Sequence, residues 1–163
     1  MKFRILLVLF FAFSLLASSS IYSGIQKNSK ADCSHDYANK LSVETKSMIN
    51  LLCNSLYMET KFRLEVVIVA LLDNLTEEEY AVKYFQKYAQ SDISFSEYGI
   101  VVLISFSDRK IRIELGKIAA EKMSNSEAKE IIEKDFIPYF RQGQLNPGVS
   151  NGVKAIVDWF SIH

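Results

Sequence analysis

Hydrophobic residues in the middle of the chain form two nearly continuous runs, residues 66–72 and 100–106. A segment that is apolar at almost every position is typical of a strand covered on both faces. The second run is followed by a polar turn and then by residues 110–115, in which apolar and charged positions alternate. Alternation is typical of a strand with one solvated face. We therefore predict two buried strands, the second of which forms a β-hairpin with a flanking third strand.

Helical spacing of apolar residues predicts four helices around these strands. Each begins at a residue that caps a helix well, because its side-chain oxygen accepts a backbone N–H of the first turn. The four predicted caps are Ser42, Thr76, Ser124 and Asn146. The second and third caps are followed by Glu79 and Glu127, which makes each a capping box. We expect Pro138 to interrupt or end the third helix, and Pro147 fits the first position of the fourth.

The order of these elements indicates an α/β fold. A strand, a helix and a strand in succession form a parallel pair joined by a right-handed crossover, and the hairpin adds the third strand antiparallel to the second. We predict a three-layer sandwich, a small mixed sheet with helices on both faces. The second helix carries an aromatic stripe that we expect to pack against the sheet instead of forming a ligand shelf. The stripe consists of Tyr80, Tyr84, Phe85 and Tyr88.

The first 19 residues have the order of a secretory signal peptide. Lys2 and Arg4 precede the uncharged, mostly apolar residues 5–17, and serines follow them. The apolar segment is shorter than the roughly 20 residues that a membrane-spanning helix needs. Cleavage is predicted after Ala17 or Ser19, and a retained leader is the alternative. We expect an exported protein, periplasmic or secreted, in which a flexible lead-in at residues 20–35 precedes one domain at residues 36–163.

Charge is balanced over the chain, which has 19 basic and 19 acidic residues. Without Lys2 and Arg4 the mature chain has 17 basic residues against 19 acidic ones. A slightly negative domain has no general electrostatic attraction for nucleic acid or anionic lipid. We therefore expect no nucleic-acid partner, and membrane contact only through a retained leader. Separately from charge, we expect a monomer whose macromolecular partner is a membrane protein or another envelope component.

Two cysteines, Cys33 and Cys53, follow the predicted leader. In an oxidising compartment they can form a disulfide. The alternative is that Cys53 is a free buried thiol, because it lies on the apolar stripe of the first helix. A zinc site is not expected, because the sequence has no CxxC pair and only two histidines, His35 and the terminal His163.

The sequence contains no nucleophile–base pair, phosphate-binding loop or other strong catalytic pattern. The predicted hairpin instead suggests a site by geometry. It places Glu97 and Gly99, at the start of the second strand, near Gly116 and Glu121, which follow the third. Carboxylates next to backbone that is accessible because glycine has no side chain can hold a hard cation such as Ca²⁺ or Mg²⁺ through oxygen ligands. In the alternative interpretation the glycines only ease the strand ends and both glutamates are solvated.

Several short motifs resemble those of the TPM domain, a family of exported α/β domains found in bacteria and plastid lumens. The resemblance covers nearly all of the mature chain, from residue 36 to residue 160. The motifs that carry it are Asp36-Tyr37-Ala38-Asn39-Lys40-Leu41-Ser42, Thr76-Glu77-Glu78-Glu79-Tyr80-Ala81, Glu97-Tyr98-Gly99-Ile100-Val101-Val102-Leu103, Asp108-Arg109, Arg112-Ile113-Glu114-Leu115-Gly116, Ile137-Pro138-Tyr139-Phe140 and Gly148-Val149.

The resemblance also implies where a cation site would lie. The family's three acidic positions match Asp36, Glu97 and Asn125. Asp36 keeps the family's aspartate, Glu97 is a longer acid, and Asn125 is an uncharged amide. Ile118 replaces the second glycine of the family's G-x-G motif, and its G-D-Y motif becomes residues 143–145, Gly-Gln-Leu. A lower ligand charge weakens Ca²⁺ sites, and a branched side chain restricts the backbone. We therefore expect a weak or eroded divalent-metal site.

The preferred hypothesis is an exported TPM-like binding or accessory module of the cell envelope. Asp36 and Glu97 are its main candidate metal ligands, and Glu121 and Asn125 are lesser ones. Family members have been proposed as accessory factors of membrane complexes and as divalent-metal-binding phosphatases, and both roles are open to this chain.

In the alternative hypothesis the protein is a metal-dependent phosphatase. The metal would lie at Asp36 and Glu97, Arg109 or Arg112 would hold the phosphate, and backbone at Gly99 would approach the ligand together with that of Gly116. A third hypothesis is a structural envelope component whose partner surface includes Phe95, Tyr98 and residues 139–141.

Overall fold

Four strands form one mixed sheet in the computed structural model, which describes residues 32–163. The strands are β1 (Ser34–Asp36), β2 (Arg63–Val69), β3 (Gly99–Ser105) and β4 (Lys110–Leu115), and they lie in that order across the sheet. β1, β2 and β3 run parallel, and β4 pairs with β3 antiparallel. The predicted parallel pair and hairpin are therefore confirmed. The predicted signal peptide and most of the predicted lead-in lie outside the described residues.

Local sequence signals define where most helices begin. Within residues 32–163 the helical elements are α1 (Val43–Thr60), α2 (Glu77–Ser91), α3 (Phe95–Tyr98), α4 (Lys117–Lys122), α5 (Asn125–Ile131), a π segment (Ile132–Phe136), α6 (Ile137–Arg141) and α7 (Leu145–Ile162). The caps expected at Ser42, Thr76 and Ser124 are confirmed, because each side chain accepts a backbone N–H of the helix that follows it. The last two form complete capping boxes.

Helices cover both faces of the sheet, which gives the predicted three layers. On one face α1 packs on β2, and α7 packs on α1 and on the π segment. On the other face α2 packs against β3 and β4. The aromatic stripe of α2 is partly buried against the core on that face, as expected.

The two central strands are buried on both faces. Val66 and Val102 face the core formed with α1 and α7, whereas Val67 and Leu103 face α2, and none of the four has exposed surface. Burying one such side chain stabilises the fold by about 1.5–3 kcal/mol relative to leaving it exposed. This double burial explains why both strands are apolar at almost every position. On β4, only alternate residues face the α1–α7 core, and Ile113 is the buried one.

β1 is a strand that the sequence pattern does not predict. Residues 34 and 35 fall in the expected lead-in, but they belong to the sheet and pair in parallel with β2. His35 Nε2 lies 2.8 Å from Oε2 of Glu65, a buried carboxylate of β2. β1 contains no aliphatic residue, so neither periodicity nor hydrophobicity marks it, and only its partner strand makes it a strand.

The last helix begins earlier than predicted. α7 starts at Leu145 with Gln144 at the N-cap position, so the expected N-cap at Asn146 is wrong by two residues. Asn146 Oδ1 instead accepts the backbone N–H of Ser42 at 2.8 Å. The capping residue of the sequence motif thus connects the start of α7 with the start of α1.

Pro138 does not end the third predicted helix. Helical conformation continues from Asn125 through the π segment to Arg141. The N–H of Ile137 donates to the carbonyl of Ile132, five residues back. Pro138 has no N–H to donate, and the wider π turn directly before it allows the helix to continue.

Two glycines of α7 allow aromatic rings to contact the helix backbone. A Cβ atom at Gly152 would lie 2.1 Å from the ring of Phe136, and one at Gly148 would lie 2.4 Å from the ring of Phe140. Phe136 has no exposed surface. The π segment and α6 therefore fit against α7 only because these two positions have no side chain.

A disulfide joins Cys33, just before β1, to Cys53 of α1. The two Cα atoms are 6.7 Å apart and both residues are buried in the main core. The backbone N–H of Cys33 also donates to Oδ1 of Asn50 at 3.1 Å. The sequence left open whether Cys53 forms a disulfide or is a free buried thiol, and the structure contains the disulfide.

We predict that removing the disulfide with Cys33→Ala and Cys53→Ala together lowers the free energy of unfolding by about 3 kcal/mol, since the bond closes a loop of roughly 20 residues in the unfolded chain. Guanidinium unfolding under non-reducing conditions measures this change. A reductant should lower the wild-type midpoint and leave that of the double variant unchanged. An unaltered wild-type midpoint would contradict the prediction.

We predict that Gly152→Ala lowers the free energy of unfolding by about 2 kcal/mol, because the collision with Phe136 outweighs the gain in helix propensity. Denaturant unfolding measures the difference. Asn151→Ala, at an exposed position of the same helix, is the control and should change stability by less than about 0.5 kcal/mol. A Gly152→Ala variant as stable as the wild type would show that the ring moves freely.

Candidate functional site

The residues predicted to form a site lie at two different ends of the sheet. We call one end the Gly99 rim; it consists of Gly99, Gly116 and helices α3 and α4. We call the other end the hairpin rim; it consists of the last residues of β1, β2 and β3 and the turn 106–109. Parallel strands place their starts at the first end and their ends at the second.

Asp36 and Glu97 do not share a rim. In the strand register, Asp36 is opposite Ile68, which is opposite Ile104, whereas Glu97 precedes Gly99 at the start of β3. The distance along β3 from Gly99 to Ile104 is about 16 Å. The expectation that Asp36 and Glu97 line one depression is therefore wrong, because β1 runs parallel to its neighbours and carries Asp36 to the hairpin rim.

The carboxylate of Asp36 is already engaged by the chain. Its side chain has no exposed surface and lies 3.3 Å from Nζ of Lys46. It accepts backbone N–H groups from Leu41 at 2.8 Å and from Lys40 at 3.1 Å. Burial acts to raise the pKa of Asp36, but these hydrogen bonds and Lys46 together hold it below the ordinary value. Asp36 therefore fixes the turn between β1 and α1 as a buried carboxylate.

Glu97, Gly99 and Gly116 meet at the Gly99 rim, as the hairpin register requires. The N–H of Gly116 donates to the carbonyl of Gly99 at 2.8 Å. A Cβ atom at Gly116 would lie 2.7 Å from the carbonyl oxygen of Glu97 and 2.9 Å from that of Ser96. Any side chain at Gly116 would push α3 away, so this glycine is needed for close backbone approach.

The polar side chains of the Gly99 rim are exposed. Glu97 lies on α3, Glu121 on α4, and Asn125 is the first residue of α5. α3 packs against α4, which brings the elements of the two glutamates together. Within residues 32–163 no three His, Cys, Asp or Glu side chains are grouped closely enough to hold a metal ion. A cation at this rim would therefore need amide, backbone or water oxygens in addition to carboxylates.

Ile118 occupies the position of the second glycine in the family's G-x-G motif, and its role is to pack against the core. Its side chain is partly buried against the main core. The substitution therefore adds an apolar contact at the start of α4.

Arg112 and Arg109 lie in different environments. Arg112 projects from the middle of β4 on the side of α2, where its guanidinium is 3.1 Å from Glu114 and 3.8 Å from Glu78. Arg109 lies in the exposed hairpin turn at the hairpin rim. Of the two arginines proposed to hold phosphate, Arg109 thus lies at the rim opposite to Glu97, and Arg112 already has carboxylate partners.

Asp108 connects the hairpin turn to the loop that follows β2. Its Oδ2 accepts the backbone N–H of Leu72 at 2.8 Å and the hydroxyl of Ser105 at 2.7 Å. This side chain therefore positions Arg109 relative to the end of the parallel strands.

The hairpin rim also contains a pocket that sequence reasoning missed. It has a volume of about 780 Å³ and lies between the hairpin, at residues 104–111, and the segment 137–145 around the end of α6. Its lining combines apolar side chains with those of Arg109 and Arg141. The two segments are about thirty residues apart in sequence, so only the fold brings them together. The basic residues next to aromatic ones were the available sequence signal.

The aromatic partner surface expected around Phe95 is not present in that form. Phe95 is 1% exposed and packs against Phe85 and Tyr88. Tyr98 is half-buried, with its ring centroid 5.7 Å from that of Phe62. These two rings therefore stabilise the Gly99 rim from within.

Comparison with known proteins gives one family. The sequence model of the TPM domain matches residues 34–159, whereas no curated protein matches the chain. The solution NMR structure of an N-terminal domain from P. gingivalis has 20% sequence identity and a TM-score of 0.74, and the alignment covers 83% of this chain and 85% of that one.

Two further NMR structures have a similar fold at 12% identity. The N-terminal domain of the cg2496 protein from Corynebacterium glutamicum has a TM-score of 0.59, with 78% of each chain covered. The BA42 protein from the psychrophilic bacterium Bizionia argentinensis has a TM-score of 0.62, with 78% of this chain and 86% of that one covered. At these identities the similarity concerns the fold alone. Because the TPM domain match extends over most of the chain and includes both rims, the chain belongs to the TPM domain family.

Proposed function

We propose that this protein is an exported TPM-domain binding module of the cell envelope with a weak divalent-cation site at the Gly99 rim. The proposal is carried by one observation: the two acids at the family's acidic positions, Asp36 and Glu97, lie at different rims. Asp36 is buried with three partners of its own, while Glu97 is exposed beside the close contact of Gly99 with Gly116. A cation at this rim therefore depends on Glu97, with Glu121 and Asn125 as further oxygen donors.

The donor set favours weak binding of Ca²⁺ or Mg²⁺. Ca²⁺ takes about 6–8 oxygen ligands, and its affinity rises with the number of charged ones. Glu97 and Glu121 supply two carboxylates, and Asn125 supplies an uncharged oxygen. Water would complete the coordination, which corresponds to a dissociation constant in the range of about 10⁻⁴–10⁻³ M, as in extracellular modules.

Export is supported by the disulfide and by the sequence of the leader. Disulfides persist in oxidising compartments and are rare in the cytosol, and the bond between Cys33 and Cys53 lies in the main core. Among residues 32–163 no helix combines the length and the apolar character needed to cross a membrane. A membrane protein or another envelope component remains the proposed partner.

The phosphatase alternative has less support from the geometry. It requires Asp36, Glu97 and an arginine around one phosphate. Asp36 and Arg109 lie at the hairpin rim, but Glu97 lies at the Gly99 rim and Arg112 is paired with glutamates in the middle of β4. If this protein has phosphatase activity, its catalytic site must use a different set of residues, all at one rim.

We predict that Ca²⁺ titration of the protein, followed by ¹H–¹⁵N NMR, shifts the amides of α3 and of the start of α4. Glu97→Gln should weaken binding by about ten-fold, because one of two charged ligands is lost. Glu133→Gln, at an exposed position of the π segment, is the matched control and should bind like the wild type. Unchanged affinity in Glu97→Gln, or no shift at tens of millimolar Ca²⁺, would contradict the proposal.

We predict that Asp36→Asn leaves Ca²⁺ affinity unchanged and lowers the free energy of unfolding at pH 7 by about 2 kcal/mol, the scale of hydrogen bonds to a charged group. The pKa of Asp36 is lowered in the folded protein, so its contribution is present above the unfolded pKa of about 3.9 and is lost as the pH falls through the lower folded pKa. The difference between wild type and variant should therefore shrink below about pH 4.

Denaturant unfolding at several pH values tests this, with Asp158→Asn as the control at an exposed ion pair of α7. Loss of Ca²⁺ binding in a folded Asp36→Asn protein would assign Asp36 to the cation site and contradict its structural role.

A further inference from the structure

The pocket at the hairpin rim has the composition of a small-molecule site. Its volume of about 780 Å³ lies within the range of about 300–1,000 Å³ that is usual for ligand pockets. We call it the hairpin pocket. Its apolar lining comes from β3, β4 and the segment around α6, namely Ile104, Ile111, Ile137, Phe140 and Leu145.

Two guanidinium groups border this apolar lining. Arg109 and Arg141 line the pocket, both residues are exposed, and within residues 32–163 neither forms an ion pair with a carboxylate. Lys110 also lines the pocket, but its amine lies 3.4 Å from Glu77. Among the described residues 32–163, no acidic one lines the pocket, and the neighbouring Asp108 accepts hydrogen bonds from Leu72 and Ser105. Arg109 and Arg141 together outweigh the single neighbouring carboxylate of Asp108, so the net charge of these three groups at the pocket is positive.

A further cation stands beside the pocket. Nζ of Lys40 lies 4.6 Å from the ring centroid of Phe106, which is one of the lining residues. Phe106 is 42% exposed. A cation that stacks on this ring adds to the positive potential at the pocket.

The backbone at Arg109 has an unfavourable conformation for its side chain. Its φ is 56°, in the left-handed region that glycine and asparagine adopt more readily. The turn would accept asparagine at lower conformational cost, so an Arg109→Asn variant removes the guanidinium without disturbing the turn.

The geometry points to an organic anion with an apolar body as the ligand of the hairpin pocket. Two arginine side chains, each able to form paired hydrogen bonds, suit the planar or trigonal oxygens of a carboxylate or phosphate. The apolar lining suits an alkyl or aromatic body. This site lies at the opposite end of the sheet from the proposed cation site, and neither depends on the other.

Titration of the protein with n-octyl phosphate and with octanoate, each below its micelle-forming concentration, tests the assignment. Chemical-shift changes should be confined to the amides of residues 104–111 and 137–145. Affinity should fall from octyl to butyl to ethyl phosphate, because a shorter alkyl chain buries less apolar surface. Inorganic phosphate and the uncharged octyl glucoside should each bind at least about ten-fold more weakly than octyl phosphate, since each lacks one half of the interaction.

The variants Arg109→Asn and Arg141→Gln should each weaken octyl phosphate binding by about ten-fold, the loss expected from one charge-assisted hydrogen bond. Arg109→Asn should fold at least as stably as the wild type, which separates loss of binding from loss of structure. Lys129→Gln, which removes an exposed positive charge on α5, is the control and should bind normally. Glu97→Gln should also bind normally, so a failure of the cation site does not affect this test.

The two anions distinguish the two ligand sources, since tighter binding of octyl phosphate indicates a phosphate ester and tighter binding of octanoate a carboxylic acid. Affinity that is independent of chain length, or unchanged in both arginine variants, would overturn the assignment. Shifts located at the Gly99 rim instead of the pocket would overturn it as well.

Discussion

The double burial of β2 and β3 is the constraint on which the rest of the structure depends. Val66 and Val67 are adjacent in sequence, face opposite layers and are both fully buried. An unpaired polar group in such a strand would cost about 1–3 kcal/mol, and the buried Glu65 is accordingly matched by His35. Apart from Glu65, the polar side chains of the sheet therefore lie on the edge strands β1 and β4 and at the ends of β2 and β3.

The two ends of the sheet differ in chemistry because parallel strands are directional. The starts of β2 and β3 lie at the Gly99 rim, where Gly99 and Gly116 are buried in close backbone contacts and two glutamates are exposed. The ends of β1, β2 and β3 lie at the hairpin rim, where Asp36 and Asp108 both accept backbone N–H groups and Arg109 forms no ion pair with any of residues 32–163. The proposed cation site and the proposed anion pocket therefore lie at opposite ends of the sheet.

Sequence reasoning succeeded where the signal was local. Thr76 and Ser124 cap the helices that immediately follow them, so four consecutive residues contain the information. It failed where a residue acts across the fold. Asn146 has the character of an N-cap but binds the N–H of Ser42, 104 residues away. Asp36 was assigned to the wrong rim because β1, which has no aliphatic residue, could be recognised only beside β2.

The disulfide determines how the domain bears load from the segment that precedes it. Cys33 lies immediately before β1, a strand of three residues, whose few hydrogen bonds to β2 offer little resistance to a pull on the chain. Because the sulfur bridge enters α1 at Cys53, tension applied ahead of Cys33 passes directly into a helix of 18 residues packed beneath the sheet. The disulfide therefore lets the force bypass β1, and the packing of α1 against the core resists it instead.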